Sequence, residues 1–148
     1  MSEYVSKLFG LEGKVAALTG AGGHLVGEMA RSLGQAGVKV AALDISIDAA
    51  DRTAAAVRAA GGDALALATD VRQNTDYEQA LAAVLQRWGR LDFAVFGAGA
   101  NAPTPFAAIS LEEWNDILAV QLTGTMLGCQ VFGGHMVMQK SGSIVTIA

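Results

Sequence analysis

Five short apolar segments alternate along the chain with longer segments whose apolar residues recur every three or four positions. The short segments are rich in Val, Ala and Leu, a pattern that predicts buried strands. They cover residues 15–18, 38–43, 64–68, 93–96 and 143–147. The longer segments predict helices that begin near residues 24, 47, 75 and 110. Strands that alternate with helices in this way predict βαβ units, right-handed crossovers and a parallel sheet.

Glycines and capping motifs predict where these helices end and begin. Gly34 or Gly37 ends the first helix, the Gly61-Gly62 pair ends the second after residue 60, and Gly89 ends the third. Thr-Asp-Tyr-Glu at 75–78 and Ser-Leu-Glu-Glu at 110–113 fit the capping box, so they predict the starts of the last two helices. The fourth helix continues to about residue 138. One face of the third helix is apolar: Tyr77, Leu81, Val84, Leu85 and Trp88.

The composition favours one α/β domain. Of the 148 residues, 52% are hydrophobic, 16% are charged and 18 are glycine, which suits buried parallel strands and close helix packing. No Pro- or Ser-rich linker divides the chain, so we predict a single domain over 1–148. The net charge of −4 and the lack of a basic stripe argue against a nucleic-acid partner.

Two features bear on the compartment. The only cysteine, Cys129, excludes an internal disulfide and fits a reducing compartment, and no signal peptide precedes the first strand. We therefore expect a cytoplasmic protein, with Cys129 as a small core residue. Residues 117–139 contain no charge, but polar side chains and glycines are spread along them. This mixture predicts a buried helix rather than a membrane span, and no membrane partner.

The most informative motif is a glycine-rich turn between the first strand and the first helix. Gly20, Gly22 and Gly23 bring backbone N–H groups and a helix N-terminus to one point, which favours a phosphate anion. The alternative is a turn that binds nothing. Asp44 follows the next strand, where a carboxylate accepts hydrogen bonds from a ribose 2′-OH and repels a 2′-phosphate. The alternative for Asp44 is a solvated loop residue or a helix cap.

Two further strand ends reach the same predicted edge of the sheet. Asp70 and Val71 follow the third strand. At that position they contact either the edge of an adenine or solvent, and the residues alone do not decide between these two interpretations. The fourth strand ends in Phe-Gly-Ala-Gly at 96–99, whose glycines allow a close approach of backbone to a ligand. Ligands of open parallel sheets bind at this edge, where the strand order reverses.

Together these motifs resemble the short-chain dehydrogenase/reductase family, from residue 8 to residue 147. Thr19-Gly20 matches the start of the family's cofactor turn, and Gly97-Ala98-Gly99 matches the end of its fourth-strand motif. The resemblance implies that the turn binds the pyrophosphate of a nicotinamide dinucleotide through Thr19, Gly20, Gly22, Gly23, His24 and Leu25. From Asp44, the resemblance implies NAD rather than NADP as the cofactor. It also implies that Asp70 and Val71 contact the adenine. The nicotinamide side is then lined by Gly97, Ala98 and Gly99.

The chain departs from the family pattern at several positions. His24 and Val26 occupy places where the strict pattern has glycine, and we expect Val26 to crowd the pyrophosphate. Phe96 and Gly97 replace two asparagines. Gln121 stands where the family carries an asparagine of its catalytic tetrad; by resemblance it organises water or a proton relay, with one more methylene of reach.

The family's catalytic Tyr-x-x-x-Lys does not occur in these residues. The tyrosines are Tyr4 and Tyr77, and the residues four positions on are Leu8 and Leu81. The resemblance therefore implies an NAD-dependent oxidoreductase of a small alcohol or carbonyl substrate, present as its cofactor-binding portion without the C-terminal catalytic part. We expect weak dinucleotide binding and no turnover by this chain alone. The alternatives are a non-catalytic NAD-binding remnant and an interaction scaffold.

The predicted fold is a Rossmann-like α/β sheet of order 3-2-1-4-5, with helices on both faces, truncated after the fifth strand. An unpaired fifth strand carrying Ile144, Val145 and Ile147, together with the apolar fourth helix, predicts a homo-oligomer. No metal site is expected, because His24, Cys129 and His135 lack ligand spacing.

Overall fold

The computed structural model describes residues 9–147, in which one sheet of five parallel strands forms the centre. The strands run in the order β3-β2-β1-β4-β5, which confirms the predicted Rossmann-like topology. Their bounds are β1 Val15–Thr19, β2 Lys39–Asp44, β3 Ala64–Ala68, β4 Phe93–Phe96 and β5 Ser143–Thr146. Tyr4, Leu8 and Ala148, which entered the sequence argument, lie outside the described residues.

Four helices connect these strands. They are α1 His24–Gln35, α2 Ile47–Ala59, α3 Asn74–Trp88 and α4 Leu111–Gln139, and a short 3₁₀ turn, Phe106–Ala108, precedes α4. Two π-helical segments, Ala119–Thr123 and Cys129–Gly133, interrupt the α-helical geometry of α4. The predicted elements are all present, with ends shifted by one or two residues because the terminal hydrogen bonds of an element carry little sequence signal.

The helices cover both faces of the sheet, as predicted. On one face, Val26 and Ala30 of α1 pack with Ala54 and Val57 of α2 over the strands. On the other face, the buried residues come from α3 and α4: Tyr77, Ala80, Val84, Phe132 and Met136. The two central strands, β1 and β2, therefore bury side chains on both sides, which explains why they read as continuous apolar runs.

The predicted cap at Ser110 is correct for α4, although only half of the capping box forms, and the capping-box prediction is wrong for α3. Ser110 Oγ accepts the N–H of Glu113 at 3.1 Å, but the Glu113 carboxylate accepts the Thr104 hydroxyl at 2.8 Å. In α3 the N-cap is Gln73, and Thr75 lies inside the first turn. The helix starts earlier because the Asp76 carboxylate accepts the N–H of Asp70 at 2.8 Å and so ties the first turn to the end of β3.

Helix α4 lies against the sheet through a row of glycines. A Cβ on Gly124 would lie 2.9 Å from Val71, and one on Gly128 would lie 2.7 Å from the Phe96 ring, so only glycine permits this close packing. By length and composition α4 is also long and apolar enough to cross a membrane, with 17% of its most apolar window buried.

The expectation of a buried fourth helix is therefore correct for one face only. Leu122 and Met126 are exposed on the opposite side. Cys129 is exposed as well, so its assignment to the core was wrong.

Candidate functional site

The carboxyl ends of four strands surround one cavity of about 330 Å³. It lies where the strand order reverses, between β1 and β4, which is the position that ligands of open parallel sheets occupy. The residues that line it follow β1, β2, β3 and β4, and one comes from α4: Gly20, Asp44, Ile45, Thr69, Asp70, Val71, Arg72, Ala98, Gly99, Ala100 and Val120. Six of these were predicted as site residues from the sequence.

The turn after β1 packs tightly against the turn after β4. Gly20 adopts φ 72°, and a Cβ there would lie 2.8 Å from Ala98 Cα and 2.8 Å from the Gly97 oxygen. Thr19 Oγ1 accepts the N–H groups of Gly97 at 3.2 Å and Ala98 at 3.3 Å. Thr19 is buried, and it joins the two turns beneath the cavity rather than lining the cavity. The close approach of the two turns requires glycine at position 20.

The Asp44 carboxylate holds the glycine turn from the side of β2. Its Oδ2 accepts the N–H of Gly22 at 2.9 Å, and its Oδ1 accepts the N–H of Ser46 at 3.0 Å. A Cβ on Gly22 would collide with Ala49 Cβ and approach Asp44 Oδ2 at 2.9 Å. Because each carboxylate oxygen accepts about two hydrogen bonds, Asp44 keeps acceptor positions for a ligand while its orientation is fixed.

Helix α1 begins without a compensating charge. Its N-cap is Gly23, and its first turn contains no acidic residue, whereas the first turns of α2, α3 and α4 do. The positive end of the α1 dipole and its free N–H groups are therefore available to an anion. Gly22, Gly23 and His24 line a second, neighbouring cavity of about 210 Å³, to which Arg31 and Arg52 also contribute.

Two sequence expectations about this turn need correction or restriction. Val26 is 3% exposed and belongs to the core, and a Cβ on Gly97 would lie 2.5 Å from its Cγ2. Val26 therefore packs beneath the Gly97 backbone and does not crowd either cavity, because its position on α1 faces the sheet. Leu25 is 56% exposed and lines neither cavity, so the structure does not bring it together with the other predicted residues.

An ion pair occupies the end of β3. The Asp70 carboxylate accepts hydrogen bonds from the Arg72 side chain, the two shortest from Nε to Oδ1 at 2.9 Å and from Nη2 to Oδ2 at 2.7 Å. The hydrogen bond from Arg72 is the main reason that the pKa of Asp70 lies below its ordinary value. Val71 is buried against Gly124. Asp70 is thus an ionised acceptor at the wall of the cavity.

Thr69 was not predicted from the sequence. It lines the cavity with 2% of its surface exposed, and its hydroxyl has no hydrogen-bond partner among residues 9–147. Buried hydroxyls normally have partners, so an unpaired one beside a cavity indicates a polar partner there, either water or a ligand. Its position directly before Asp70 is the one sequence signal that would have pointed to it.

Gln121 lies at the edge of the site. It belongs to the first π-helical segment of α4, and its Nε2 donates to the carbonyl of Ala100 at 2.7 Å. Ala100 lines the cavity, so Gln121 contacts the loop after β4 rather than the cavity itself. Among residues 9–147, no group of three or more His, Cys, Asp or Glu side chains is arranged to hold a metal ion.

Besides Thr69, the structure adds four residues to those predicted at this site: Ile45, Arg72, Ala100 and Val120. Ile45 and Ala100 extend segments that were already predicted. Val120 comes from α4, far away in sequence, and no motif marks it. Only the packing of α4 against the sheet brings it to the cavity.

The sheet is doubly wound, and its switch-point cavity is surrounded by a glycine turn, an uncapped helix N-terminus and a carboxylate. These features define an α/β protein of the Rossmann-like class. The family model for short chain dehydrogenase matches residues 14–148, and the chain belongs to this family of oxidoreductases.

Curated relatives include the D-threitol dehydrogenase of Mycolicibacterium smegmatis, which is 34% identical over 140 residues, with 95% of this chain and 54% of the relative covered. Another is the 2,5-dichloro-2,5-cyclohexadiene-1,4-diol dehydrogenase of Sphingobium indicum, which is 35% identical over 138 residues. That match covers 93% of this chain and 55% of the relative. The chain spans about half the length of these relatives.

Solved structures agree with the fold. A short-chain type dehydrogenase/reductase from Mycobacterium marinum superposes with a TM-score of 0.91 at 33% identity, covering 99% of this chain and 59% of that one. An NAD⁺-bound xylitol dehydrogenase superposes with a TM-score of 0.87 at 28% identity, covering 92% of this chain and 53% of that one.

Proposed function

We propose that this chain forms the cofactor-binding portion of an NAD-dependent short-chain dehydrogenase that acts on a small alcohol or carbonyl compound. The observation that carries the proposal is the cavity at the switch point, where the glycine turn, Asp44 and Asp70 meet. The orphaned hydroxyl of Thr69 fits a polar ligand in that cavity. The names of the relatives, which act on threitol, a cyclic diol and xylitol, support a hydroxylated substrate class.

Each group in the site has a role in this proposal. The N–H groups at the start of α1 bind the pyrophosphate, since that helix end carries no acidic side chain. Asp44 accepts hydrogen bonds from the adenosine ribose. Asp70 and Val71 meet the adenine, and the backbone from Gly97 to Gly99 lines the nicotinamide side. When bound, the nicotinamide ring supplies hydride transfer, and Gln121 organises the loop after β4 next to it.

We further propose that the cofactor is NAD rather than NADP. A ribose 2′-phosphate beside Asp44 would place two negative charges together at a site where the carboxylate is held in place by Gly22 and Ser46. No ion pair found among residues 9–147 includes Asp44, and Arg72, which lines the same cavity, is paired with Asp70. The 2′-hydroxyl of NAD, by contrast, donates to it.

Isothermal titration calorimetry with NAD and with NADP tests this proposal. We expect the unmodified chain to bind NAD in the micromolar to millimolar range and NADP at least roughly tenfold more weakly, on the scale of one unfavourable charge contact. Asp44→Ala is expected to weaken NAD binding and to reduce the preference against NADP.

Asp48→Ala is the matched control, because it removes the same charge from the first turn of α2 but does not line the cavity. Equal loss of NAD affinity in both variants would contradict a ribose contact by Asp44. A preference for NADP in the unmodified chain would overturn the choice of cofactor.

Turnover is tested separately from binding. Because the 148 residues contain no Tyr-x-x-x-Lys, we expect this chain alone to show no substrate-dependent change in NADH absorbance with polyols such as threitol or xylitol. A rate above that of a heat-denatured control would contradict this expectation. Failure to bind either dinucleotide at millimolar concentration would favour the alternative of an interaction scaffold.

A further inference from the structure

Arg72 encloses the Asp70 carboxylate at the wall of the cavity. Its backbone N–H and its Nε both donate to Oδ1, at 3.0 Å and 2.9 Å. Its Nη2 donates to Oδ2 at 2.7 Å, with Nε a further 3.2 Å contact to the same oxygen. Both residues line the cavity, so this ion pair belongs to the binding surface and is not a remote surface contact.

The pair fixes both the position and the protonation of the carboxylate. The backbone of Asp70 is held independently, because its N–H donates to Asp76 at 2.8 Å. The planar guanidinium then sets the plane of the carboxylate through parallel hydrogen bonds, which a lysine ammonium cannot do. Oδ1 accepts the backbone N–H and the shorter Nε contact at 2.9 Å, whereas Oδ2 accepts Nη2 and only the longer Nε contact at 3.2 Å, so more of the remaining acceptor capacity lies on Oδ2.

An ionised carboxylate accepts hydrogen bonds and donates none. A base that meets Oδ2 must therefore present a donor, as adenine does with its 6-amino group, whereas hypoxanthine presents a carbonyl oxygen at the same place. We propose that Arg72 is a positioning residue for adenine selection: it holds Asp70 in the orientation that accepts the adenine amino group. This inference rests on the proposed dinucleotide function of the cavity.

The test compares ligands whose bases differ along one edge: adenine has a 6-amino group and an unprotonated N1, whereas hypoxanthine has a 6-carbonyl oxygen and an N1–H. NAD and nicotinamide hypoxanthine dinucleotide form one pair, and AMP and IMP form a second pair that probes the adenine end alone. The full 148-residue chain is titrated with each ligand by calorimetry. We expect the unmodified chain to prefer the adenine ligand of each pair by roughly tenfold, the scale of one good base contact.

The Arg72→Gln variant is expected to reduce that preference to within about threefold in both pairs, because the carboxylate is then free to rotate. Arg72→Lys keeps the charge but loses the planar fork, so it is expected to lose most of the preference as well.

Arg87→Gln is the matched control. Arg87 also pairs with an aspartate, Asp63, at 2.6 Å, and is 46% exposed compared with 42% for Arg72, but it does not line the cavity. It should keep the full preference, and circular dichroism should show equal folding of all variants.

An unchanged adenine preference in Arg72→Gln would overturn the inference, as would tighter binding of all four ligands, which would mean that Arg72 obstructs the cavity. Absence of NAD binding to the unmodified chain refutes the proposed function, while the AMP and IMP pair still decides the role of Arg72. If AMP does not bind either, the inference is overturned with it.

Discussion

Asp44 acts on its surroundings before any ligand arrives. By accepting the N–H of Gly22 it holds the glycine turn against the end of β2, and by accepting the N–H of Ser46 it shapes the start of α2. The residue is therefore both a part of the turn and a candidate ligand contact. Substitutions at Asp44 are expected to move the turn as well as remove a ribose contact, which is why Asp48 is needed as a control.

Gly22 gives a direct test of the turn. In Gly22→Ala, the new Cβ would meet Ala49 and the Asp44 carboxylate, so Asp44 must shift. We expect at least a roughly tenfold loss of NAD affinity, the scale of one lost charged hydrogen bond, measured by calorimetry. Gly134→Ala is the control, because nothing lies within 4 Å of its Cβ. Unchanged affinity in Gly22→Ala would show that the turn tolerates displacement of Asp44.

The Thr69 hydroxyl is expected to lower the stability of the free protein and to strengthen dinucleotide binding. Thr69→Val replaces the unpaired buried hydroxyl with a methyl group of similar shape. Without ligand we expect the free energy of unfolding to rise by about 1 kcal/mol, since the cost of desolvating that hydroxyl disappears. Dinucleotide affinity should fall several-fold. Urea denaturation and calorimetry measure the two effects.

Thr69→Ser keeps the hydroxyl and serves as the control for binding. If Thr69→Val bound the dinucleotide as tightly as the unmodified chain, the hydroxyl would have no role in the cavity.

At the scale of elements, the glycines of α4 determine how closely this helix approaches the sheet. In Gly128→Ala the added Cβ would lie 2.7 Å from Phe96 and 3.0 Å from Tyr77. Tyr77 packs edge-to-face against Phe96 and Phe132, with ring centroids 6.1 and 5.3 Å away, and these two phenylalanine rings stack on each other. Because overpacking of a tight core costs about 1–3 kcal/mol, we expect the free energy of unfolding to fall by that amount in urea denaturation.

Gly134→Ala adds a methyl group to the same helix in open space. We expect it to raise the free energy of unfolding by up to about 1 kcal/mol through helix propensity. A similar destabilisation by both substitutions would mean that close packing at Gly128 is not the cause.

Tyr77 is held at this same contact between elements. Its hydroxyl donates to the Gly124 carbonyl at 2.9 Å, and burial raises its pKa above the ordinary value. Tyr77 is thus a neutral core residue that joins α3 to α4. The tyrosine in the middle of this chain has a structural position away from the cavity.

The amino ends of β1 and β4 are joined by a buried carboxylate. Asp92 accepts the Val15 N–H at 2.9 Å and Arg90 Nε at 2.9 Å, and Lys14 Nζ lies 3.4 Å away. Burial alone would raise the pKa of Asp92, but the hydrogen bonds from Arg90 and Val15 outweigh it and hold the pKa below its ordinary value.

This arrangement predicts a loss of stability in acid. A carboxyl group whose pKa is lowered by folding stabilises the fold above the unfolded-state pKa of about 3.9, and that contribution is lost as the pH falls through the folded-state pKa. We expect Asp92→Asn to cost about 2–3 kcal/mol at pH 7, and the difference from the unmodified chain to shrink as the pH is lowered from about 5 to 3. Urea denaturation at several pH values measures it.

Asp51→Asn removes an exposed ion pair with Arg58 and is expected to cost at most about 1 kcal/mol. A pH-independent difference between Asp92→Asn and the unmodified chain would contradict a role for the ionised carboxylate.

At the scale of the whole molecule, apolar surface remains exposed along one side of the described residues. Strand β5 is an edge of the sheet on which Val145 is 50% exposed, and Leu122, Val137 and Met138 of α4 are exposed as well. An unpaired apolar edge and a broad apolar helix face favour self-association. We expect the 148-residue chain to form oligomers that grow with concentration, measured by size-exclusion chromatography with light scattering.

Val145→Lys places a charge on the β5 edge and should shift the distribution towards a single chain. Lys39→Gln, on the central strand β2, is the control that leaves the edge unchanged. A constant mass of one chain for the unmodified protein over a wide concentration range would contradict this prediction.

Much of the fold follows from local patterns in the sequence. The period of the apolar residues located the strands and helices, because burial on both faces of a parallel sheet leaves continuous apolar runs. The glycines between β1 and α1 marked the turn, since Gly20 adopts φ 72° and a Cβ there would lie only 2.8 Å from the backbone of Ala98. Asp44 and Asp70 were recognisable because each directly follows a strand.

Tertiary structure alone decided how these residues are used. It brought the Asp44 carboxylate to the N–H of Gly22, left the Thr69 hydroxyl without a partner among the described residues, and placed Val26 beneath Gly97. It also brought Val120 and Gln121 of α4 to the loop after β4. The physical reason is that a period specifies which face a residue occupies, whereas hydrogen-bond partners and close contacts depend on elements that are distant in sequence and meet only when the sheet and its helices pack together.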